Sequence, residues 1–245
     1  MSLFNNMNKG ATFNQTGNQP THFSQSDSGA FPAERSSEEI NKLIRNTYML
    51  LSMTLFFSAF MAGVAMVAGL PRMHWAITLV GFFGLLFLTN MLRNSVWGLI
   101  SVFALTGFMG LTLGPVISAY ITVFSNGAEL VMMAFGSTAI IFLGLSGYVL
   151  VTRKDFNFMG SFLFIGILVA FLAGLGAIIF NIPSLSLAVS AMFVLLMSGY
   201  ILYQTSEIVH GRETNYIMAT VDLYVSIYNL FLSLLHLFGA FMGEE

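Results

Sequence analysis

Seven long apolar segments, separated by short polar stretches, follow one another along most of the chain. They cover about 46–69, 74–92, 96–123, 129–151, 159–181, 184–209 and 217–242. Each is close to the roughly 20 residues that a helix needs to cross the hydrocarbon core of a bilayer. Backbone groups in lipid must be hydrogen-bonded within the protein, and the short alternating segments of a β-barrel are not seen. The pattern therefore predicts an all-α membrane protein with seven transmembrane helices.

The first 37 residues are polar and differ sharply from the rest of the chain. They are rich in Asn, Gln, Ser, Thr and Gly, and such a segment buries too little surface to offset its ordering entropy. We therefore expect residues 1–37 to be a disordered tail and residues 38–245 to form the transmembrane domain. Ser36, followed three residues later by Glu39, has the form of a capping box and predicts that a helix starts there and runs into the membrane.

The distribution of Lys and Arg predicts the orientation. Seven helices place eight of these residues on the side of the N-terminus and only Arg72 on the other side; the eight are Lys9, Arg35, Lys42, Arg45, Arg93, Arg153, Lys154 and Arg212. Because cytoplasmic loops carry the excess of positive charge, we expect a cytoplasmic N-terminus and a C-terminus outside.

Composition removes several classes of function. Hydrophobic residues make up 56 % of the chain and charged residues 8 %, against roughly 25 % charged residues in soluble domains, so the main partner is membrane lipid. The net charge of -2 and the scattered basic residues exclude a nucleic-acid surface. Cysteine is absent, which excludes disulfides and thiolate metal sites. No pattern indicates a cofactor.

The seventh segment carries a polar stripe. Its members recur at steps of four, three, four and three residues and therefore share one helix face; they are Asp222, Ser226, Asn229, Ser233 and His236. A helix with one polar face and apolar residues elsewhere is best buried at the centre of a bundle. The stripe then either lines a pore or forms hydrogen bonds to neighbouring helices, and both interpretations remain open, with function favoured for Asp222.

A second polar group ends the sixth segment, where Gln204, Glu207 and His210 lie three residues apart. Because the sixth and seventh helices run in opposite directions, Glu207 and Asp222 come to similar depth near the cytoplasmic end. Two carboxylates held close in a dry site cannot both ionise cheaply, so one would have a raised pKa and act as a proton sensor. Alternatively, each is solvated at the interface or paired with Arg212 or Arg45.

Two further motifs concern packing and catalysis. Small residues at packing spacing, such as Gly110 and Gly114, predict close helix contacts. The tetrapeptide 144–147 has the G-x-S-G form of intramembrane serine proteases, which need a histidine within hydrogen-bond reach. Ser146 would lie roughly 8 Å from the cytoplasmic edge and His236 roughly 28 Å from it, so the two cannot meet. We therefore expect no enzyme activity.

Several separate motifs, in the same order along the chain, resemble those of the Bax inhibitor-1 family. They are 98–101, 110–115, 134–139, 203–205 and 223–231, and the resemblance extends from about residue 40 to the end. Stretches 45–48, 152–155 and 210–217 look most like a branch of bacterial inner-membrane proteins. The resemblance implies a seven-helix bundle with a central last helix. It also implies one of two functions: association with and modulation of the ATP-dependent membrane protease FtsH, or a pH-sensitive calcium leak.

The chain departs from the family's leak-forming members at one place. Those members resemble one another in pairing an aspartate of the sixth helix with one of the seventh, and the corresponding positions here are Gln204 and Ser226, which cannot titrate. A leak would then require Glu207 and Asp222, each about one turn nearer the cytoplasm, to take over the paired role. We therefore rank protease modulation first and calcium leak second.

Overall fold

Residues 36–244, which are the residues that the computed structural model of the chain describes, form seven long α-helices and one short 3-10 turn at Asn157–Met159. The helices are α1 Ser37–Val67, α2 Trp75–Leu92, α3 Val96–Val123, α4 Gly127–Thr152, α5 Gly160–Ile179, α6 Pro183–Val209 and α7 Tyr216–Met242. All seven are long and apolar enough to cross a membrane. The predicted all-α fold with seven transmembrane helices is confirmed.

Local sequence explains where the helices begin and end. The Ser36 hydroxyl accepts a hydrogen bond from the backbone N–H of Glu39 at 3.2 Å, so α1 begins at Ser37, the last residue of the predicted tail. Residues 1–35, which make up most of that tail, lie outside the described part of the chain. The fifth helix ends at Ile179, two residues before the predicted end, where Asn181 adopts a positive φ of 52°. The Asn215 side chain caps α7 by accepting from the N–H groups of Ile217 and Met218.

The last helix is the centre of the bundle. It packs against α1, α3, α4 and α6, whereas α2 packs mainly on α3 and α5 mainly on α6. Leu223, Leu230 and Leu235 of α7 are fully buried. This arrangement confirms the predicted central position of the last helix, because a helix with neighbours on four sides must accommodate its polar groups within the protein.

Close approach of α1 and α3 depends on glycine. A Cβ atom added to Gly110 would collide with the carbonyl oxygen of Ser58, and one added to Gly114 would lie 2.6 Å from the carbonyl oxygen of Ala62. The backbones of the two helices therefore touch, as small residues at this spacing allow. The predicted close packing at Gly110 and Gly114 is confirmed.

Loops alternate between two ends of the bundle. One end, here called the basic end, contains the start of α1 and the loops 93–95, 153–156 and 210–215; its described cations are Lys42, Arg45, Arg93, Arg153, Lys154 and Arg212. At the opposite end the α3–α4 loop meets the C-terminus, where Ser125 and Asn126 bond to backbone carbonyls of Glu244 and Met242. An up-and-down path with seven crossings therefore places the two ends of the domain on opposite sides of the bundle.

Candidate functional site in the last two helices

The polar stripe of α7 is buried to different degrees along its length. Ser226 and Ser233 are buried, whereas Asp222, Asn229 and His236 are partly buried. Ser226 donates to the carbonyl oxygen of Asp222 at 2.7 Å, and the Asn229 amide donates to the carbonyl oxygen of Val225 at 2.8 Å. Two members of the stripe are therefore satisfied by their own helix rather than by a shared chain of side chains.

A layer of hydroxyl groups connects α1, α4 and α6 on the basic side of the bundle. Thr205 lies 3.2 Å from the Ser146 hydroxyl and 3.5 Å from the Tyr48 hydroxyl. Beside it, Gln204 is only 4 % exposed, and its side-chain nitrogen has no hydrogen-bond partner among the described residues. Through its contact with Thr205, Ser146 of the protease-like tetrapeptide joins α4 to α6.

Two tyrosines of α7 form the interhelical hydrogen bonds that sequence reasoning missed. The Tyr224 hydroxyl lies 2.6 Å from Ser58 of α1 and also donates to the carbonyl oxygen of Thr106 in α3. The Tyr228 hydroxyl lies 3.2 Å from Thr112 of α3. Both residues lie on a different face of α7 from the polar stripe, so the spacing of the stripe does not predict their contacts. The only signal was their place in the 223–231 motif.

His236 contacts a serine, but on α6 rather than in the protease-like tetrapeptide. Its Nδ1 atom lies 2.7 Å from the Ser190 hydroxyl, which also donates to the carbonyl oxygen of Ser186 at 3.1 Å. When the hydroxyl proton points to Ser186, Nδ1 must donate to the serine oxygen. That direction is opposite to the proton abstraction by which a histidine activates a nucleophile. The pair joins α6 to α7 through a hydrogen bond.

Arg212 forms an ionic clamp at the basic end. Its Nε donates to Glu207 at 2.6 Å, and its Nη2 and Nη1 donate to the two oxygens of Asp155 at 2.7 and 3.2 Å. Ser206 strengthens the connection by accepting from the backbone N–H of Phe156 at 3.0 Å. These contacts, here called the Arg212 clamp, tie the α4–α5 loop to the end of α6.

The electrostatics of the clamp favour the ionised form of Asp155. The hydrogen bond from Arg212, together with the one from the N–H of Asn157, holds the pKa of Asp155 below its usual value of 3.8.

The α6–α7 loop, which contains Arg212, also contacts the α2–α3 loop. The Asn215 amide donates to the carbonyl oxygen of Arg93 and to the side-chain oxygen of Asn94, both at 3.0 Å. One short loop therefore organises both of the other loops at the basic end.

The remaining candidates occupy separate places. The Glu207 carboxylate is held by Arg212, and the Asp222 carboxylate has no hydrogen-bond partner within residues 36–244. Arg45 is exposed on the first turns of α1 and forms no ion pair with either acid in the described structure. Of the alternatives left open by the sequence, the structure thus shows Glu207 paired with Arg212. No cluster of three or more acidic or histidine side chains that could hold a metal ion occurs in this part of the chain.

Comparison with known proteins gives consistent matches along the transmembrane domain. A family model described as inhibitor of apoptosis-promoting Bax1 matches residues 40–243. A protein of Pseudomonas aeruginosa is 52 % identical over 213 residues, covering 87 % of this chain and 96 % of the relative. "Modulator of FtsH protease YccA" of Escherichia coli K12 is 49 % identical over 199 residues, covering 81 % and 90 %. In a second Escherichia coli strain, a relative with the same identity and coverage is named "Inner membrane protein YccA".

Proposed function

Because this chain belongs to the Bax inhibitor-1 family of multi-pass membrane proteins, we propose that it associates with and modulates the membrane protease FtsH in a bacterial inner membrane. The observation that carries the proposal is the 49 % identity, over most of both chains, to the modulator of FtsH protease YccA. At this level of identity the two proteins share a fold. The family model spans residues 40–243, which include α6, α7 and the loop between them.

The geometry of the basic end supports this function. The Arg212 clamp and Asn215 hold three loops together, so this end presents one organised surface to a partner. The positive charge gathered there supports an orientation in which this surface faces the cytoplasm. A protease that is driven by ATP would meet the protein on that side.

The proposal is tested by reconstituting FtsH in proteoliposomes with and without the protein. We expect the two proteins to copurify, and we expect degradation of a membrane substrate to slow when the protein is present. A detergent-purified membrane protein of another family with seven helices is the control for crowding. Copurification no stronger than that of the control protein would contradict the proposal.

A calcium leak, the second function implied by the resemblance, has less support from the geometry. Glu207 is engaged by Arg212, so only Asp222 of the two acids lacks a partner in the described structure. The test is calcium flux into liposomes between about pH 6 and 8, where the native protein is compared with Asp222→Asn. We expect flux no greater than in empty liposomes, with FtsH copurification unchanged in both proteins. A flux that depends on pH and is lost in Asp222→Asn would favour the leak instead.

A further inference from the structure

An apolar cavity of about 830 Å³ lies between α1 and α4, in the halves of these helices away from the basic end. Its floor is α7, which contributes Tyr224, Ile227, Tyr228 and Phe231, and we call it the lateral groove. The rim includes Phe56 and Phe135, which are 79 % and 68 % exposed on the outer surface of the bundle. The groove therefore faces the surrounding lipid, and the polar stripe does not line it.

The lining of the lateral groove leaves little for water to bind. None of the lining residues is an acid, a lysine, an arginine or a histidine. The hydroxyl groups of the lining already have hydrogen-bond partners. Ser58 pairs with Tyr224 and Tyr228 pairs with Thr112, while Ser52 and Thr138 donate to backbone carbonyl oxygens of their own helices. A buried water needs about 2–4 polar partners, so the groove is a poor site for ordered water.

Leaving the groove empty is also unfavourable, because its apolar walls would lack dispersion contacts on one side. The volume of the groove falls within the roughly 300–1,000 Å³ that is typical of ligand pockets. The groove also lies at the depth of hydrocarbon. Tyr228 is twelve residues beyond Tyr216, where α7 begins, which places it about 18 Å along the helix at about 1.5 Å per residue.

We propose that the lateral groove is a binding site for the acyl chain of a membrane phospholipid, which packs between α1 and α4 against α7. A neutral hydrocarbon chain matches the uncharged lining, and it reaches the groove through the rim without leaving the bilayer. Space for it exists on both walls, because a Cβ atom added to Gly63 or Gly136 would meet no atom within 4 Å. The acyl chain then fills the space between α1 and α4 and packs on the floor formed by α7.

The test uses vesicles of a phospholipid that carries a photoactivatable diazirine near the end of one acyl chain. After illumination, mass spectrometry locates the labelled residues of the native protein. We expect label on Tyr228 and Phe231, because Phe231 is only 6 % exposed and a lipid outside the bundle cannot reach it except through the groove. Phe164 of α5, which is 70 % exposed, reports labelling by ordinary surrounding lipid.

Glycine variants distinguish the groove from its surroundings. Gly63→Phe with Gly136→Phe fills the groove, whereas Gly144→Phe adds the same side chain to an open, exposed position of α4 outside it. We expect label on α7 to be lost in the filled variant and retained in the control, with Phe164 labelled equally in all. Gly136→Leu replaces the double variant if the latter fails to insert. Absence of label on α7 in the native protein, or its persistence in the filled variant, would overturn the proposal.

Discussion

Arg212 is the residue on which the basic end most depends. It joins Glu207, only 15 % exposed in its side chain, to Asp155, which is about half exposed. We predict that Arg212→Gln lowers the melting temperature in detergent by a few degrees, because Glu207 and Asp155 both lose the partner that holds them. Arg153→Gln, which removes an exposed cation from the adjacent loop, is the matched control and should leave the melting temperature unchanged.

The pH dependence of this effect follows from the lowered pKa of Asp155. A carboxyl group with a depressed pKa stabilises the folded state above its unfolded pKa and loses that contribution as the pH falls through the folded value. The contribution of Asp155 to the difference in melting temperature between the native protein and Arg212→Gln should therefore stay constant from about pH 8 to 5 and shrink only below 3.8. A difference that disappears between about pH 8 and 6 would contradict this account of the clamp.

Among the helices, α1 and α3 form the pair with the closest packing. Gly110 faces the backbone of α1, so even the single methyl group of Gly110→Ala must push the helices apart. We predict a loss of stability of about 1–3 kcal/mol, typical of overpacking, measured by unfolding in detergent. Gly144→Ala adds the same methyl group where no atom lies within 4 Å and should not destabilise the protein. Equal effects of the two substitutions would show that α1 and α3 do not depend on this contact.

For the whole molecule, the charge bias predicts one orientation. Reporter domains active only in the cytoplasm should be active when fused after Arg93, Lys154 or Arg212 and silent at the C-terminus. The reason is that these three positions share the basic end, whereas α7 crosses to the opposite end. An active C-terminal fusion would be incompatible with seven crossings and a cytoplasmic N-terminus.

Under the proposed function, the N-terminal tail, predicted from sequence to be disordered and cytoplasmic, is the segment that we expect the protease to engage. An ATP-dependent protease must thread an unstructured end, and residues 1–37 would supply one. We predict that deletion of residues 2–30 lengthens the lifetime of the protein in cells that contain FtsH, without affecting membrane insertion. The same deletion in cells without FtsH is the control. An equal change of protein lifetime in both kinds of cell would count against this role.

The sequence by itself determined the helices and their order. Each crossing requires a long apolar segment, so hydrophobicity alone predicts helices such as α3 at Val96–Val123, and local caps such as Ser36 set their ends. The central place of α7 was also predictable, because a polar stripe on a membrane helix must face protein. The contact of Arg212 with Glu207 was one of the alternatives that the sequence left open. It could be foreseen because the two residues are only five positions apart.

Only the tertiary structure decided which polar groups meet across the bundle. Asp155 reaches Arg212 over 57 positions of sequence, and Tyr224 reaches Ser58 over 166. Helix periodicity gives the face of a residue on its own helix, but it does not specify which helix packs there or at what depth. For the same reason the lateral groove could not be predicted: it exists because α1 and α4 both pack on α7 without closing over it, and that gap is a property of how whole helices pack.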